Sequence, residues 1–119
     1  MWNTFLGKRL KGCKYAIVGA WMLIKNEASI QVQTIIAIGI TIAGFVFNIS
    51  ATEWMFQIFA IALVMSIEGL NTTVEAIADF IHPDYHSKIG FIKDIAAGAV
   101  FFAAVAAVVI ACIIYIPKF

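Results

Sequence analysis

Three carboxylates and one amide recur in the otherwise apolar stretch LVMSIEGLNTTVEAIADF, residues 63–80. On an α-helix, at about 100° per residue, all four polar residues fall within about 80° of one another: Glu68, Asn71, Glu75 and Asp79. A carboxylate inside a membrane costs on the order of 3 kcal/mol on insertion scales, so such groups face a bundle interior or a cavity. The pattern predicts a polar site along one helix.

The chemistry that suits this face is phosphoryl transfer. Oxygens that converge with a lysine suit Mg²⁺ and polyphosphate, because Mg²⁺ is usually held by one or two carboxylates plus substrate phosphates. Lys93 supplies a point charge for phosphate. Glu68 is placed to accept a proton from a lipid hydroxyl. Glu75 lies about 10 Å further along the helix, where ATP and Mg²⁺ are expected.

The composition is that of an integral membrane protein with a single domain over residues 1–119. The chain is 63% hydrophobic and 13% charged, with a mean hydropathy of +0.98. A soluble domain averages about 45–50% apolar and about 25% charged residues. The net charge of +1 gives no basis for binding nucleic acid. Cys13 and Cys112 have no paired spacing and are interpreted as packing residues.

Three transmembrane helices are predicted, over residues 28–50, 53–80 and 91–116. Residues 28–52 and 95–117 contain no charge, and each stretch exceeds the roughly 20 residues that a helix needs to cross a membrane. The middle segment spans only if its helix continues through Glu68 toward Asp79. The expected fold is all-α, with an N-terminal amphipathic surface helix and three transmembrane helices.

The distribution of basic residues predicts the orientation. They precede the first span or lie between the second and third: Lys8, Arg9, Lys11, Lys14, Lys25, Lys88 and Lys93. The positive-inside rule then puts the N-terminus in the cytoplasm and, after three spans, the C-terminus outside. Six of the seven acidic residues fall in the cytoplasmic half, with Glu53 the exception. We expect a site that opens from the membrane to the cytoplasm.

Residues 1–26 are predicted to form an amphipathic helix on the inner leaflet. At about 100° per residue, one apolar stripe contains Trp2, Leu6, Leu10, Cys13, Ile17, Trp21 and Ile24. The lysines lie outside the stripe, and bases in the first half of the segment argue against a further span.

An oligomer is expected from the third span. Its alanines recur every four residues, at 99, 103, 107 and 111, and small residues at this spacing let helices approach closely in lipid. Three helices alone cannot easily hide so many polar groups.

Two other functions stay open on these residues alone. In a small ion-coupled exporter, Glu68 is a titrating midplane site. In a structural subunit, Asn71 bonds a neighbouring helix, and Glu75 and Asp79 are solvated charges at a helix end. The clustering of acidic residues at one membrane face favours phosphoryl transfer, because an exporter needs only one midplane carboxylate. A purely structural role does not explain why Glu68, Glu75 and Asp79 share one face of the helix.

The combined motif resembles that of the prokaryotic diacylglycerol kinase family, which includes undecaprenol kinases. Two segments carry the resemblance, EGLNTTVEAIAD and HPDYHSKIGFIKDIAAGAV. The shared pattern is E-x-x-N-[ST]-x-x-E-x-x-x-D, then a histidine, then K-D and a run of small residues. The resemblance covers nearly the whole chain, including the basic N-terminal helix and the pair Asn26-Glu27.

The resemblance implies a homotrimer whose sites form between protomers and phosphorylate a lipid hydroxyl with ATP and Mg²⁺. It implies Glu68 as the catalytic base, and Glu27 and Glu75 as the metal ligands that hold Mg²⁺ with ATP. Substrate contacts are implied for Asn71, Lys8 and Arg9. The other implied nucleotide contacts are Tyr15, Asp84, Tyr85, His86, Lys93 and Asp94.

Undecaprenol is the expected lipid, with diacylglycerol as the alternative. The segment SIQVQ after Glu27 lacks the charged residues often found there in diacylglycerol kinases. The segments HPDYH and KDIAAGAV, the pair Glu53-Trp54 and the ending IYIPKF look more like the undecaprenol-kinase branch.

Overall fold

Four α-helices make up most of the computed structural model, which describes residues 2–119, with side chains from Thr4 onward. They are α1 (Trp2–Asn26), α2 (Ala28–Val46), α3 (Ala51–Ile81) and α4 (Ser87–Tyr115), and a short 3₁₀ turn covers Ile116–Lys118. Residues 2–119 contain no strand, so the all-α prediction is confirmed. Residue 1 of the predicted surface helix and the side chain of Trp2 in its stripe lie outside the described part.

Within residues 2–119, three helical segments are long and apolar enough to cross a membrane: Ala28–Val46, Ala51–Ile81 and Ser87–Lys118. Few apolar side chains are buried within the described part of the chain, and the larger ones among them are Ile30, Ile49 and Ile114. Most large apolar side chains point outward instead. Such an exterior is stable only against lipid or other protein, which agrees with the prediction of a membrane protein.

The turn between α2 and α3 is set by local sequence. Asn48 has a φ of 51°, a left-handed conformation that asparagine tolerates better than most residues. The Ile49 N–H donates to the Gly44 carbonyl at 3.1 Å, and the Asn48 N–H donates to the Phe45 carbonyl at 3.3 Å, which together form a Schellman motif. A Cβ on Gly44 would lie 2.6 Å from the Trp54 ring, so only glycine allows this close approach.

A capping box then starts α3. The Ser50 hydroxyl accepts from the Glu53 N–H at 3.2 Å, and Glu53 Oε1 accepts from the Ser50 N–H at 2.9 Å. The Glu53 carboxylate also forms an ion pair with Lys118 at 3.1 Å, which ties the end of the chain to the start of α3.

Helices α3 and α4 run antiparallel in a constant register. Asp79 and Gln57 of α3 are separated by as many residues as Lys93 and Tyr115 of α4. Three side-chain contacts fix this register: Lys93 to Asp79, Tyr115 to Gln57 and Lys118 to Glu53. We call the end of the bundle with residues 47–53 and 115–118 the Glu53 end. The opposite end, with residues 27, 71–79 and 87–94, is the Asp79 end.

Helix α2 is aligned with α3 by one hydrogen bond inside the bundle, from Gln57 Nε2 to the Ile40 carbonyl at 3.3 Å. Counting back along α2 from Ile40, Gln33 lies level with Val64 of α3. Glu27 lies close to the level of Asn71.

The single residue Glu27 separates α1 from α2. Its backbone is extended, with φ −103° and ψ 117°. The molecule measures 50 × 49 × 21 Å. A bundle built on α3, about 46 Å long at 1.5 Å per residue, accounts for only one long dimension. Helix α1, about 37 Å long, therefore extends away from the bundle and supplies the second.

Candidate active site

The polar face of α3 has a gradient of burial toward the Asp79 end. Glu68 and Asn71 are each only 8% exposed, whereas Glu75 and Asp79 are exposed. One helix therefore carries a buried carboxylate and amide next to two accessible carboxylates. This order suits a reaction between an apolar substrate and a water-soluble one.

Asn71 connects the buried and exposed parts of this face. Its Nδ2 donates to Glu75 Oε1 at 3.3 Å. Its Oδ1 is buried and has no hydrogen-bond partner. Since most buried polar atoms in proteins are hydrogen-bonded, an open acceptor here points to a ligand or water that completes it.

Glu68 is buried without a cation beside it. The two ion pairs among the described side chains, Lys93 with Asp79 and Lys118 with Glu53, do not include it. The Leu23 side chain, near the end of α1, lies against the adjacent Gly69, because a Cβ on Gly69 would be 3.1 Å from it. A buried carboxylate in a membrane-spanning helix is by default a candidate for function.

Glu27 lies at the same end of the bundle. Its side chain makes no capping hydrogen bond to α2 and is half-buried. Counted from the contact between Ile40 and Gln57, Glu27 is level with Leu70, so its height differs from that of Glu75 by about 7–8 Å.

The carboxylates at the Asp79 end fit a Mg²⁺ ion that arrives with phosphates, and they do not form a protein-only metal cage. Within the described residues, no three His, Cys, Asp or Glu side chains are grouped so that they could hold a metal. Mg²⁺ usually needs only one or two carboxylates beside phosphate oxygens and water. Glu27, Glu75 and the open Asn71 oxygen are hard donors of the kind it prefers.

Lys93 lies where a phosphate could reach it. Its Nζ contacts Asp79 Oδ1 at 2.7 Å, and both side chains are accessible, at 36% and 61%. An ammonium has three N–H donors, so the contact with Asp79 leaves donors for a second partner. The neighbouring Asp94 is exposed.

The loop between α3 and α4 is ordered by its own contacts. The His86 Nδ1 accepts from the Lys88 N–H at 3.1 Å and so caps α4. His82 Nδ1 lies 2.6 Å from the Asp84 carbonyl. Tyr85 is 86% exposed, and its ring edge lies close to Gly90. The side chains of this loop thus face solvent at the Asp79 end.

The predicted residues of α1 are not brought to this face within one chain. Lys8, Arg9 and Tyr15 are exposed, and no described hydrogen bond or ion pair joins them to α3. Arg9 instead lies over the ring of Phe5, 5.2 Å from its centroid. The structure therefore brings together Asn71 with Glu75, and not the basic residues of α1 with Glu68.

A second polar group, which was not predicted from the sequence, lies near the Glu53 end. Gln57 is 3% exposed and is bonded by the Tyr115 hydroxyl. A signal was present, because Gln57 falls at about −20° from Glu68 and so lies on the same face of α3. Its partner could not be identified, since Tyr115 is 58 residues away in the sequence.

Comparison with known proteins identifies relatives along almost the whole chain. The family model described as prokaryotic diacylglycerol kinase matches residues 14–115. An undecaprenol kinase of Bacillus subtilis (strain 168) is 34% identical over 113 residues, which covers 95% of this chain and 92% of that protein. A diacylglycerol kinase of Escherichia coli (strain K12) is 30% identical over 115 residues, with 94% and 92% covered. A diacylglycerol kinase of Haemophilus influenzae is 29% identical over 101 residues, with 85% and 86% covered.

Proposed function

Because the chain belongs to the prokaryotic diacylglycerol kinase family, we propose that it transfers the γ-phosphoryl group of ATP to the hydroxyl of undecaprenol. The observation that carries this proposal is the buried carboxylate of Glu68, which has no cation beside it and lies one turn from the open oxygen of Asn71. Both groups are acceptors, and a lipid hydroxyl is a donor. The similarity to an undecaprenol kinase supports this choice of lipid.

In the proposed step, the lipid oxygen attacks the γ-phosphorus of ATP, the bond to the bridging oxygen breaks, and ADP leaves. Glu68 accepts the hydroxyl proton as the new P–O bond forms. Its burial suits this role, because the hydroxyl of a membrane lipid reaches it without first entering water. Asn71 donates a hydrogen bond to Glu75, which lies one turn further along α3 toward the Asp79 end.

Glu27 and Glu75 are assigned to Mg²⁺. Bound with the nucleotide, the ion supplies positive charge that offsets the charge of the phosphates. The contribution of the chain is to present both carboxylates at one end of the bundle and to orient Glu75 through Asn71.

The nucleotide is assigned to the accessible groups at the Asp79 end. Lys93 contacts phosphate, and the remaining contacts come from Tyr15, Asp84, Tyr85, His86 and Asp94. Lys8 and Arg9 contact the lipid substrate near the membrane surface.

The working unit is proposed to be a homotrimer with sites shared between protomers. Two observations support it: the basic residues of α1 do not meet Glu68 within one chain, and few apolar side chains are buried inside a protomer. We assign α1 to the inner surface of the bacterial cytoplasmic membrane, because it extends away from the bundle and carries basic residues. The N-terminus is then cytoplasmic and the C-terminus outside.

Diacylglycerol is the second candidate acceptor, because diacylglycerol kinases share about as much of the chain at 30% identity. A lipid panel distinguishes the two. The purified protein is given ATP, Mg²⁺ and either undecaprenol or diacylglycerol in the same detergent, and the phosphorylated lipid is quantified. We expect a higher kcat/KM for undecaprenol.

A higher kcat/KM for diacylglycerol would reassign the substrate within the family. Absence of phosphorylation with every lipid alcohol would overturn the kinase proposal. In that case, pH-dependent binding of a solute without any need for ATP would support an exporter that titrates Glu68.

A further inference from the structure

The short loop 82–86 connects α3 to α4 at the Asp79 end. Its last three residues are proposed nucleotide contacts: Asp84, Tyr85 and His86. Contacts that must be ordered when a ligand binds weaken its affinity, so a loop with three of them gains from being ordered beforehand. His82 and Pro83 are the two residues of the loop that have no part in the proposed reaction.

Pro83 ends α3 and restricts the backbone of His82. The residue before a proline is pushed out of the α region, because the proline ring clashes with its backbone. Accordingly, α3 ends at Ile81, and His82 is extended, with φ −145° and ψ 86°. The His82 N–H still donates to the Ala78 carbonyl at 2.9 Å. The backbone alone therefore caps the helix, and the imidazole ring is free for another role.

The His82 ring reaches forward into the loop. Its Nδ1 lies 2.6 Å from the backbone carbonyl oxygen of Asp84. A carbonyl oxygen only accepts, so the His82 Nδ1 carries a proton and donates it to this bond. The bond ties residue 84 to the end of α3 across Pro83, which has no N–H of its own to donate.

His86 is fixed at the other end of the loop. Its Nδ1 accepts from the Lys88 N–H at 3.1 Å, so its neutral ring carries the proton on Nε2. The rings of His82 and His86 pack edge to face, with centroids 5.4 Å apart and planes at 66°. The two histidines thus have opposite tautomers, and each is bound to the end of one helix.

The side chains between the two rings have little support of their own. Asp84 is exposed, and Tyr85 is 86% exposed. The Tyr85 ring edge lies against Gly90, where an added Cβ would be 3.3 Å from it. The backbone bond from His82 is therefore a main constraint on where these two side chains begin.

Resting on the proposed nucleotide contacts, we propose that His82 is a positioning residue that holds the loop ready for ATP through its bond to the Asp84 carbonyl. Without this bond, the loop samples other arrangements. The apparent affinity for ATP then falls in proportion to the fraction of molecules with the competent loop. Bound ATP selects that loop, so the rate of phosphoryl transfer is unaffected.

Two substitutions separate the donor of His82 from its ring. His82→Asn keeps a side-chain N–H close to the position of Nδ1 and loses the ring, whereas His82→Phe keeps a ring and loses the donor. Steady-state kinetics are measured with ATP and whichever of undecaprenol and diacylglycerol the parent phosphorylates faster. His82→Phe should raise the KM for ATP about fivefold, as expected for one ordinary hydrogen bond, with kcat and the KM for the lipid nearly unchanged. His82→Asn should resemble the parent in all three constants.

An unchanged KM for ATP in His82→Phe would overturn the proposal. A lower kcat alone would do the same, because a smaller amount of folded enzyme gives that result without any role for the loop. An equal rise of the KM for ATP in both variants would also overturn it, since the donor would then not be the group that acts. A parent that phosphorylates no lipid alcohol would contradict the kinase proposal on which this one rests.

The second test needs neither turnover nor a variant. His82 and His86 are the only two histidines in the sequence, so histidine labelled with ¹⁵N reports on these two rings alone. Spectra of the unmodified protein are recorded in detergent without ATP at about pH 8.5, where imidazole is ordinarily neutral. We expect one ring with its proton on Nδ1 and one with its proton on Nε2. Two rings protonated on Nε2 would rule out the bond to the Asp84 carbonyl, and the proposal with it, whatever the protein phosphorylates.

Discussion

The two ends of the three-helix bundle differ in whether their polar side chains have partners within the chain. At the Glu53 end, the carboxylate of Glu53 closes a capping box and forms an ion pair with Lys118. Gln57 is bonded by Tyr115. Toward the Asp79 end, Glu68 is buried without a cation beside it, and Asn71 has an oxygen without a partner.

This difference separates polar groups that stabilise the fold from polar groups that we propose to bind a ligand. A buried acceptor without a donor destabilises a protein, so its persistence needs another explanation. Two buried acceptors among the described side chains have no hydrogen-bond partner, Asn71 Oδ1 and Gln33 Oε1, and the buried carboxylate of Glu68 has no cation beside it. Acceptors of this kind are completed by hydroxyl donors or by cations, which is what a lipid alcohol and Mg²⁺ provide.

The largest effect is expected for Glu68→Gln. Loss of the base should lower kcat by about 10²–10⁴, because general-base catalysis contributes that much. The matched control is Glu53→Gln, which changes a carboxylate of the same helix at the opposite end and should leave kcat close to that of the parent. Both variants are compared by steady-state kinetics with Mg²⁺ and ATP. Equal kcat values in the two variants would remove Glu68 from catalysis and abolish the distinction between the ends.

Glu75→Gln should act on the metal requirement. Loss of one of two proposed carboxylate ligands should raise the Mg²⁺ concentration for half-maximal activity about tenfold or more, because ligands and their supports contribute strongly to metal affinity. Titration of Mg²⁺ at saturating ATP measures this, and the Mg²⁺ curve of Glu53→Gln provides the reference. A curve that coincides with the reference would assign the ion to other residues.

Lys93→Met should raise the KM for ATP about tenfold without changing the oligomeric state, because an exposed ion pair such as Lys93 with Asp79 contributes little to stability. The measurement is the KM for ATP together with the oligomeric state in detergent. Lys118→Met is the control, since it removes the ion pair at the opposite end. If the KM for ATP rose equally in both, Lys93 would not be a specific phosphate contact.

The smallest effect on activity is expected for Tyr115→Phe. Removing the hydroxyl leaves the Gln57 oxygen buried without its donor, so the free energy of unfolding should fall by about 1 kcal/mol. Turnover should stay near that of the parent. Thermal unfolding in detergent and steady-state kinetics on one preparation measure both quantities. A loss of turnover without a loss of stability would show that the Glu53 end also serves catalysis.

The comparison also shows which features the sequence could predict. The shared face of Glu68, Asn71 and Glu75 follows from helical periodicity, which operates within a few turns of one segment. The membrane-spanning helices follow from long stretches without charge. These predictions depend only on neighbours in the sequence.

Contacts between helices needed the structure. The pairs Tyr115 with Gln57 and Lys93 with Asp79 depend on the register of α3 against α4, which hydropathy does not encode. The burial of Gln33 Oε1 depends on packing among three helices. How Lys8, Arg9 and Tyr15 relate to Glu68 in a trimer stays a prediction, because it concerns contacts beyond a single chain.

The one-residue junction at Glu27 has a mechanical consequence. Helix α1 is joined to α2 without a flexible linker, so a change in its tilt must be absorbed by the two backbone torsions of Glu27 itself. Those torsions also set the direction of the Glu27 carboxylate. A shift of the proposed surface helix α1 relative to the bundle would therefore turn a carboxylate that we assign to Mg²⁺.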